Sequence, residues 1–195
     1  MNVFIISVAR SGSYTLTNAF SKVFNSTPIR EPYNTNLDND LLFSPKLQKN
    51  RLDLRYKKVL PKKWVVKSIS DQVSYNDALT IKDLSDLTIL LGRRNTQEKN
   101  ESLNFATNNL IETWHKSYIY KKEPISDNIL KLSYIQDEML KVFSELLEIP
   151  ITYYEDLYFD EEFRQRFSKD LGDSGPKILS YLDKRNKYRK EKSNI

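Results

Sequence analysis

Along the chain, short apolar runs alternate with longer stretches in which apolar residues return every three or four positions. Val3 to Val8 is short, apolar and rich in β-branched residues, the pattern of a buried parallel strand. Ala9 to Ser13 is a turn, and Thr15 to Phe24 carries Leu16, Ala19, Phe20 and Val23 at helical spacing. Pro28 to Pro32 is expected to be a tight connection. Residues 34 to 62 are polar and predict loops with a short helix. Trp64 to Ile69 predicts a second strand, Leu87 to Leu91 a third ending at Gly92, and Ile149 to Tyr154 a fourth. A helix is predicted over Thr96–Tyr120, with Leu103, Ala106, Leu110, Thr113 and Trp114 along one stripe. Another is predicted from Ser126 to Leu147, with Leu130, Met139, Val142, Phe143 and Leu146 on its apolar face. The remainder reads as helical, broken at Gly172 to Pro176.

Strands alternating with helices predict an α/β fold: a three-layer sandwich around a central, mainly parallel sheet, with added helices, as one domain over residues 1–195. Ligands of such sheets bind beyond the carboxyl ends of the strands. That rule selects residues 9 to 15, 67 to 71 and 92 to 102.

Composition narrows the chemistry. No cysteine is present and His115 is the only histidine, so thiolate metal sites, disulfides and a histidine zinc cluster are excluded. No metal is expected. The N-terminus lacks the basic segment and long apolar run of a signal peptide, and no run approaches the ~20 apolar residues of a membrane span. A cytoplasmic protein without a membrane partner is expected. The net charge of +5 favours anionic ligands. Much of the excess lies in the tail from Lys184 to Lys192, which reads equally as a solvated helix end or as a phosphate contact. Acidic residues are spread through the chain and no RNA-binding signature occurs, so nucleic acid is not an expected partner.

Two clusters carry candidate chemistry. The first is Arg10-Ser11-Gly12-Ser13-Tyr14-Thr15-Leu16. A loop between strand and helix aims backbone N–H groups and the helix dipole at one point. Gly12 permits close approach of a phosphate, Arg10 supplies a forked cation, and Ser11, Ser13 and Thr15 supply hydroxyls. The Gly-x-x-x-x-Gly-Lys-Ser/Thr pattern and its lysine are absent, which weighs against an ATPase or kinase. The second cluster is Gly92-Arg93-Arg94-Asn95 with Ser102, an arginine leaving a strand end and a serine about two helical turns later. Cation and hydroxyl at that spacing can meet one phosphate.

The first cluster resembles the 5′-phosphosulfate loop of the sulfotransferases that use 3′-phosphoadenosine 5′-phosphosulfate (PAPS), commonly Pro-Arg/Lys-Ser-Gly-Ser/Thr-Thr-x-Leu. Ala9 stands in the proline position, and Tyr14 where threonine is common. Arg94 and Ser102 have the spacing of that family's 3′-phosphate motif, with Arg93 as the alternative register. Tyr153-Tyr154-Glu155-Asp156-Leu157 is similar to a late Tyr-Glu-Asp-Leu segment whose role in the family is mostly architectural. The resemblance implies transfer of a sulfuryl group from PAPS, leaving 3′-phosphoadenosine 5′-phosphate, to the hydroxyl or less often the amine of a small-molecule or glycan acceptor.

It also implies roles. Arg10, Ser11, Gly12, Ser13, Tyr14, Thr15, Arg94 and Ser102 would bind the cofactor. Arg10 and Lys67 would stabilise charge on the leaving group and the sulfuryl oxygens. Many small-molecule members take their base from a histidine in a Lys-Thr-His context, where this chain has Lys67-Ser68-Ile69. Carbohydrate-type and bacterial members place a glutamate after the first helix, and Glu31 in Arg30-Glu31-Pro32-Tyr33 matches that context. Glu31 is therefore the candidate base and Asp71 the second choice. His115, beside Trp114 in mid-helix, reads as a packed or exposed helix histidine. Arg185, Lys187 and Arg189 are candidates for covering the 3′-phosphate. The competing readings are another nucleotide-dependent phosphotransferase, a catalytically degenerate nucleotide-binding protein, and a basic, tyrosine-rich binder of single strands.

Overall fold

The computed structural model describes residues 1–31, 61–108 and 124–193, with side chains through residue 184. Pro32, Tyr33 and the rest of the stretch to residue 60 lie outside the described residues. So do Leu110, Thr113, Trp114 and His115, and the side chains of Arg185, Lys187 and Arg189.

Five strands form one sheet: β1 (Val3–Ser7), β2 (Thr27–Arg30), β3 (Trp64–Ile69), β4 (Leu87–Gly92) and β5 (Ile151–Tyr153). Every pairing is parallel, in the order β2-β3-β1-β4-β5. Each of β1 and β3 is buried along its whole length, which is why both read as near-continuous apolar runs rather than alternating ones.

The pleat divides these runs between two layers. Phe4, Ile6, Val66 and Leu90 face a core completed by α2 (Tyr75–Leu84) and α4 (Asp127–Leu147) through Ala78, Ile81, Leu140, Phe143 and Leu147. Val3, Ile5, Val65, Ile89 and Leu91 face the opposite core. There α1 (Ser13–Phe24) brings Leu16, Ala19 and Phe20, α5 (Tyr154–Phe159) brings Leu157 and Tyr158, and α7 (Gly175–Ser193) brings Ile178 and Leu182. The remaining α-helices among the described residues are α3 (Thr96–Asn108) and α6 (Glu161–Asp170). Period-two side chains on each strand thus fill two separate cores, giving helix, sheet and helix layers.

Connectivity positions the site. From β1 the chain crosses through α1 to β2 on one side, whereas from β4 it continues to β5 on the other. Opposite directions on opposite faces are what a single crossover handedness requires. The reversal falls at β1 and β4, so ligand space is expected beyond their carboxyl ends.

Three features depart from the sequence pattern. Residues 27–30 are a strand, not part of a tight connection. Pro28 misled the pattern: it lacks the N–H of an interior strand, but β2 is an edge strand bonded only to β3, where that N–H is dispensable. The buried stripe of α4 runs through Ile129, Ser133, Gln136, Leu140, Phe143 and Leu147, while Leu130, Val142 and Leu146 are exposed. Two apolar stripes compete on this helix, and contact with the sheet selects the one that contains polar residues. Helix α2 has no strong sequence signal, since only Ala78 and Ile81 are buried. It is started by Ser74, whose hydroxyl accepts the Asp77 N–H.

Candidate functional site

The β1–α1 loop stands at the sheet reversal. Val8 continues the β1 ladder by donating its N–H to the Leu91 carbonyl at 3.1 Å. Arg10 and Gly12 then take left-handed backbone conformations, with φ of 62° and 79°, which turn the chain sharply into α1. Helix α1 begins at Ser13 with Gly12 at its cap, a residue with no side chain to bond the first turn. Such a terminus presents N–H groups and a partial positive charge to whatever lies in front of it. An added Cβ at Gly12 would lie 2.8 Å from the Tyr154 ring, so the loop packs directly on that aromatic face.

The predicted loop residues occupy distinct environments. Ser11 is fully buried and donates its hydroxyl to the Val8 carbonyl at 2.8 Å, holding the turn from inside. Ser13 and Thr15 are buried. The Tyr14 ring lies beneath the Arg30 guanidinium, 4.5 Å from centroid to carbon, and Arg30 donates to Asn18 at 2.6 Å. Tyr14 thereby ties α1 to the end of β2.

The two sequence clusters meet. Arg10 Nε donates to Ser102 Oγ at 2.7 Å, joining residues 92 positions apart. Arg93 and Arg94 then diverge. Arg93 is nearly buried, donates to the Arg10 carbonyl at 2.8 Å, pairs with Glu98 at 2.7 Å and sits 4.9 Å over the Tyr154 ring. Its Nε has no hydrogen-bond acceptor and lies 4.0 Å from the Glu155 carboxylate. Arg94 points elsewhere: it is more than half exposed, pairs bidentately with Asp156 and stacks on Tyr153 at 4.3 Å. Ser102 is therefore joined to Arg10, and Arg94 is engaged outside the loop.

The Tyr153–Leu157 segment organises this region. Both oxygens of Glu155 are used, one accepting the Arg94 N–H and the other the Asn95 N–H, each at 3.0 Å. Glu155 thus acts as a fixed anion ahead of α3. Burial is the largest single influence on its carboxyl and works to raise it. The N–H bonds from Asn95 and Arg94, with the charge of Arg93, together outweigh burial and hold it below the ordinary range.

A second group lies at the ends of β2 and β3. Lys67, almost wholly buried, pairs with Glu31, and the Glu31 N–H donates to the Lys67 carbonyl at 2.6 Å. Glu31 is itself left-handed, with φ of 48°. Asp71 follows on a 3₁₀ turn, Ser70–Gln72. Burial pushes its carboxyl above the usual range, partly opposed by a hydrogen bond from Gln136; nearby Glu31 also raises it and Lys67 lowers it. Glu31, Lys67 and Asp71 therefore share one electrostatic environment beside the loop.

Sequence reasoning missed three participants. Gln136 joins Asp71 to the Ala9 N–H. Tyr154 supports both Gly12 and Arg93. Lys99, 1% exposed, pairs with Asp137 between α3 and α4. A glutamine and a lysine falling on buried helix stripes were the available signals. Among the described residues no group of three or more His, Asp or Glu is placed to hold a metal ion, and no helix is long and apolar enough to cross a membrane. Compared with family models and with curated proteins, the chain matches none of them.

Proposed function

We propose that this protein is a sulfotransferase that moves the sulfuryl group of PAPS to a hydroxyl, less readily an amine, of a polar acceptor such as a carbohydrate, in the cytoplasm. The observation that carries the reading is the hydrogen bond between Arg10 and Ser102. It draws an arginine-bearing strand-to-helix loop and the serine of a distant helix to one point beyond the strand ends. The donor set is suited to an anion bearing phosphates: the glycine-capped start of α1, the Arg10 guanidinium, and a nearly buried Arg93 whose Nε has no acceptor.

PAPS supplies the sulfuryl group and a nucleotide phosphate as leaving group. The loop amides and Arg10 hold that phosphate and stabilise the charge it gains as the S–O bond breaks. Removing one donor of this type costs ~10²–10³ in rate. The acceptor oxygen forms the new bond to sulfur, and its proton passes to Glu31, with Asp71 as the second choice. Lys67 pairs with Glu31 and so places its charge beside the proposed base. Arg94 contacts a phosphate only by releasing Asp156, whereas Arg93 is already on the loop.

The test is calorimetric titration with 3′-phosphoadenosine 5′-phosphate of wild type, Arg10→Ala, Ser102→Ala, Arg93→Met and Arg94→Met. Micromolar binding by wild type, weakened at least tenfold by Arg10→Ala, is expected. The two arginine variants decide which register binds. Wild type that ignores this nucleotide but binds ATP with Mg²⁺ overturns the assignment. Binding without sulfuryl transfer to any acceptor identifies a nucleotide binder instead.

A further inference from the structure

Gln136 sits on the buried stripe of α4, 4% exposed, where an apolar residue would pack without polar cost. Both halves of its amide are used. Oε1 accepts the Ala9 N–H at 2.9 Å, and Nε2 donates to both Asp71 oxygens, at 3.3 and 3.4 Å. The chemistry permits one orientation only, since the N–H needs an acceptor and the carboxylate needs donors. Its backbone is held as well: Ser70 Oγ donates to the Gln136 carbonyl at 2.7 Å. A buried amide costs free energy unless both halves are paired. Here the pairing spans three separate elements: the loop after β1, the turn after β3, and α4.

We propose that Gln136 is a positioning residue that locks the first residue of the β1–α1 loop to the Asp71 carboxylate, so that the donor cradle and the acceptor-facing carboxylates keep one geometry. This rests on the sulfotransferase reading for what the two ends do, but the link itself does not depend on it. An ionised Asp71 holds Nε2 toward itself and thereby aims Oε1 at Ala9. Protonation of Asp71 removes the charge that orients the amide. The groups facing Asp71 are Lys67 from β3, Glu31 after β2 and Gln136 from α4; neighbouring Asp137 is taken by Lys99.

The test uses the full chain, first without ligand. Nuclear magnetic resonance follows the Asp71 carboxyl carbon and the Ala9 amide through a pH titration. In wild type the Ala9 amide is expected to shift with the Asp71 midpoint. Asp71→Asn abolishes that shift. Gln136→Met also abolishes it and moves the Asp71 midpoint upward, because the lost hydrogen bond favoured the carboxylate. An Ala9 amide indifferent to Asp71 in wild type overturns the link, a result that needs no core variant to fold. Turnover of PAPS is the second arm. Gln136→Met is expected to lower kcat about tenfold, as misplacement of reacting groups does, with donor KM changed less than about threefold. Asp71→Asn/Gln136→Met is expected to be no slower than Asp71→Asn alone. Independent, multiplying losses would show a merely structural glutamine and overturn positioning. Absence of turnover in wild type defeats the sulfotransferase reading and leaves the titration to judge the link.

Discussion

Substitution Gly12→Ala probes the part of the loop that faces Tyr154. A methyl at Gly12 meets two separate penalties. The residue lies at φ 79°, a left-handed conformation costing an L-residue ~1–2 kcal/mol. The new carbon would also stand 2.8 and 2.9 Å from two carbons of the Tyr154 ring. That ring is packed against Tyr158 at 4.4 Å between centroids and carries Arg93, so it cannot swing aside without cost. Forcing it off its rotamer adds ~0.5–1.5 kcal/mol, and a weakened cation–π contact up to ~1 kcal/mol more. The expected loss is about 2–4 kcal/mol, measured from urea unfolding curves followed by circular dichroism. In a Tyr154→Ala background the ring penalties vanish and Gly12→Ala should cost only ~1–2 kcal/mol. A loss below ~0.5 kcal/mol in the wild-type background, or the same loss in both backgrounds, would refute the packing described here.

Other outcomes follow from the same geometry. Gly175→Ala drives a carbon into the Ser168 carbonyl group, a backbone clash at the start of α7. It should cost more than ~3 kcal/mol or prevent α7 from docking, read as loss of cooperative unfolding. Glu155→Gln should destabilise by ~1–2 kcal/mol at neutral pH, the scale of hydrogen bonds to a charged acceptor after allowance for its partial exposure. Because folding lowers the Glu155 pKa, this contribution is present above the unfolded value and fades as pH falls through the folded one. Wild type and Glu155→Gln should therefore converge in stability in acid; a gap constant with pH would refute the capping role.

Much of the architecture was legible because it follows from local periodicity. The largely apolar Val3–Ser7 and Trp64–Ile69 segments read as strands covered on both faces, and that requirement already implies a layered parallel sheet. The loop at Arg10–Thr15 was legible because strand, glycine and helix are adjacent in sequence. Edge strand β2 was not, since Pro28 forbids an interior strand and only the sheet order reveals an edge. The α4 stripe was read in part: Phe143 lies in the core and Met139 packs against it, but hydropathy cannot say which side of them meets the sheet, and Leu130, Val142 and Leu146 are exposed.

The candidate site shows where local information ends. Arg10 and Ser102 could be named from spacing and residue type, since each sits at a strand end or on the helix that follows one, and Glu31 and Lys67 from the family resemblance. Which arginine of the Arg93–Arg94 pair turns to the loop could not, because neighbouring residues at a strand end point to opposite sides and Tyr154, Glu155 and Asp156 decide between them. Gln136 offered no local signal beyond its helical spacing from Leu140, Phe143 and Leu147. Its two partners lie 127 and 65 positions away, and only the docking of α4 brings one amide within reach of both. Sequence alone determined the elements and the chemistry they could carry, since these depend on neighbours along the chain; tertiary packing decided which charges pair and which face a common point, since those depend on distances through space.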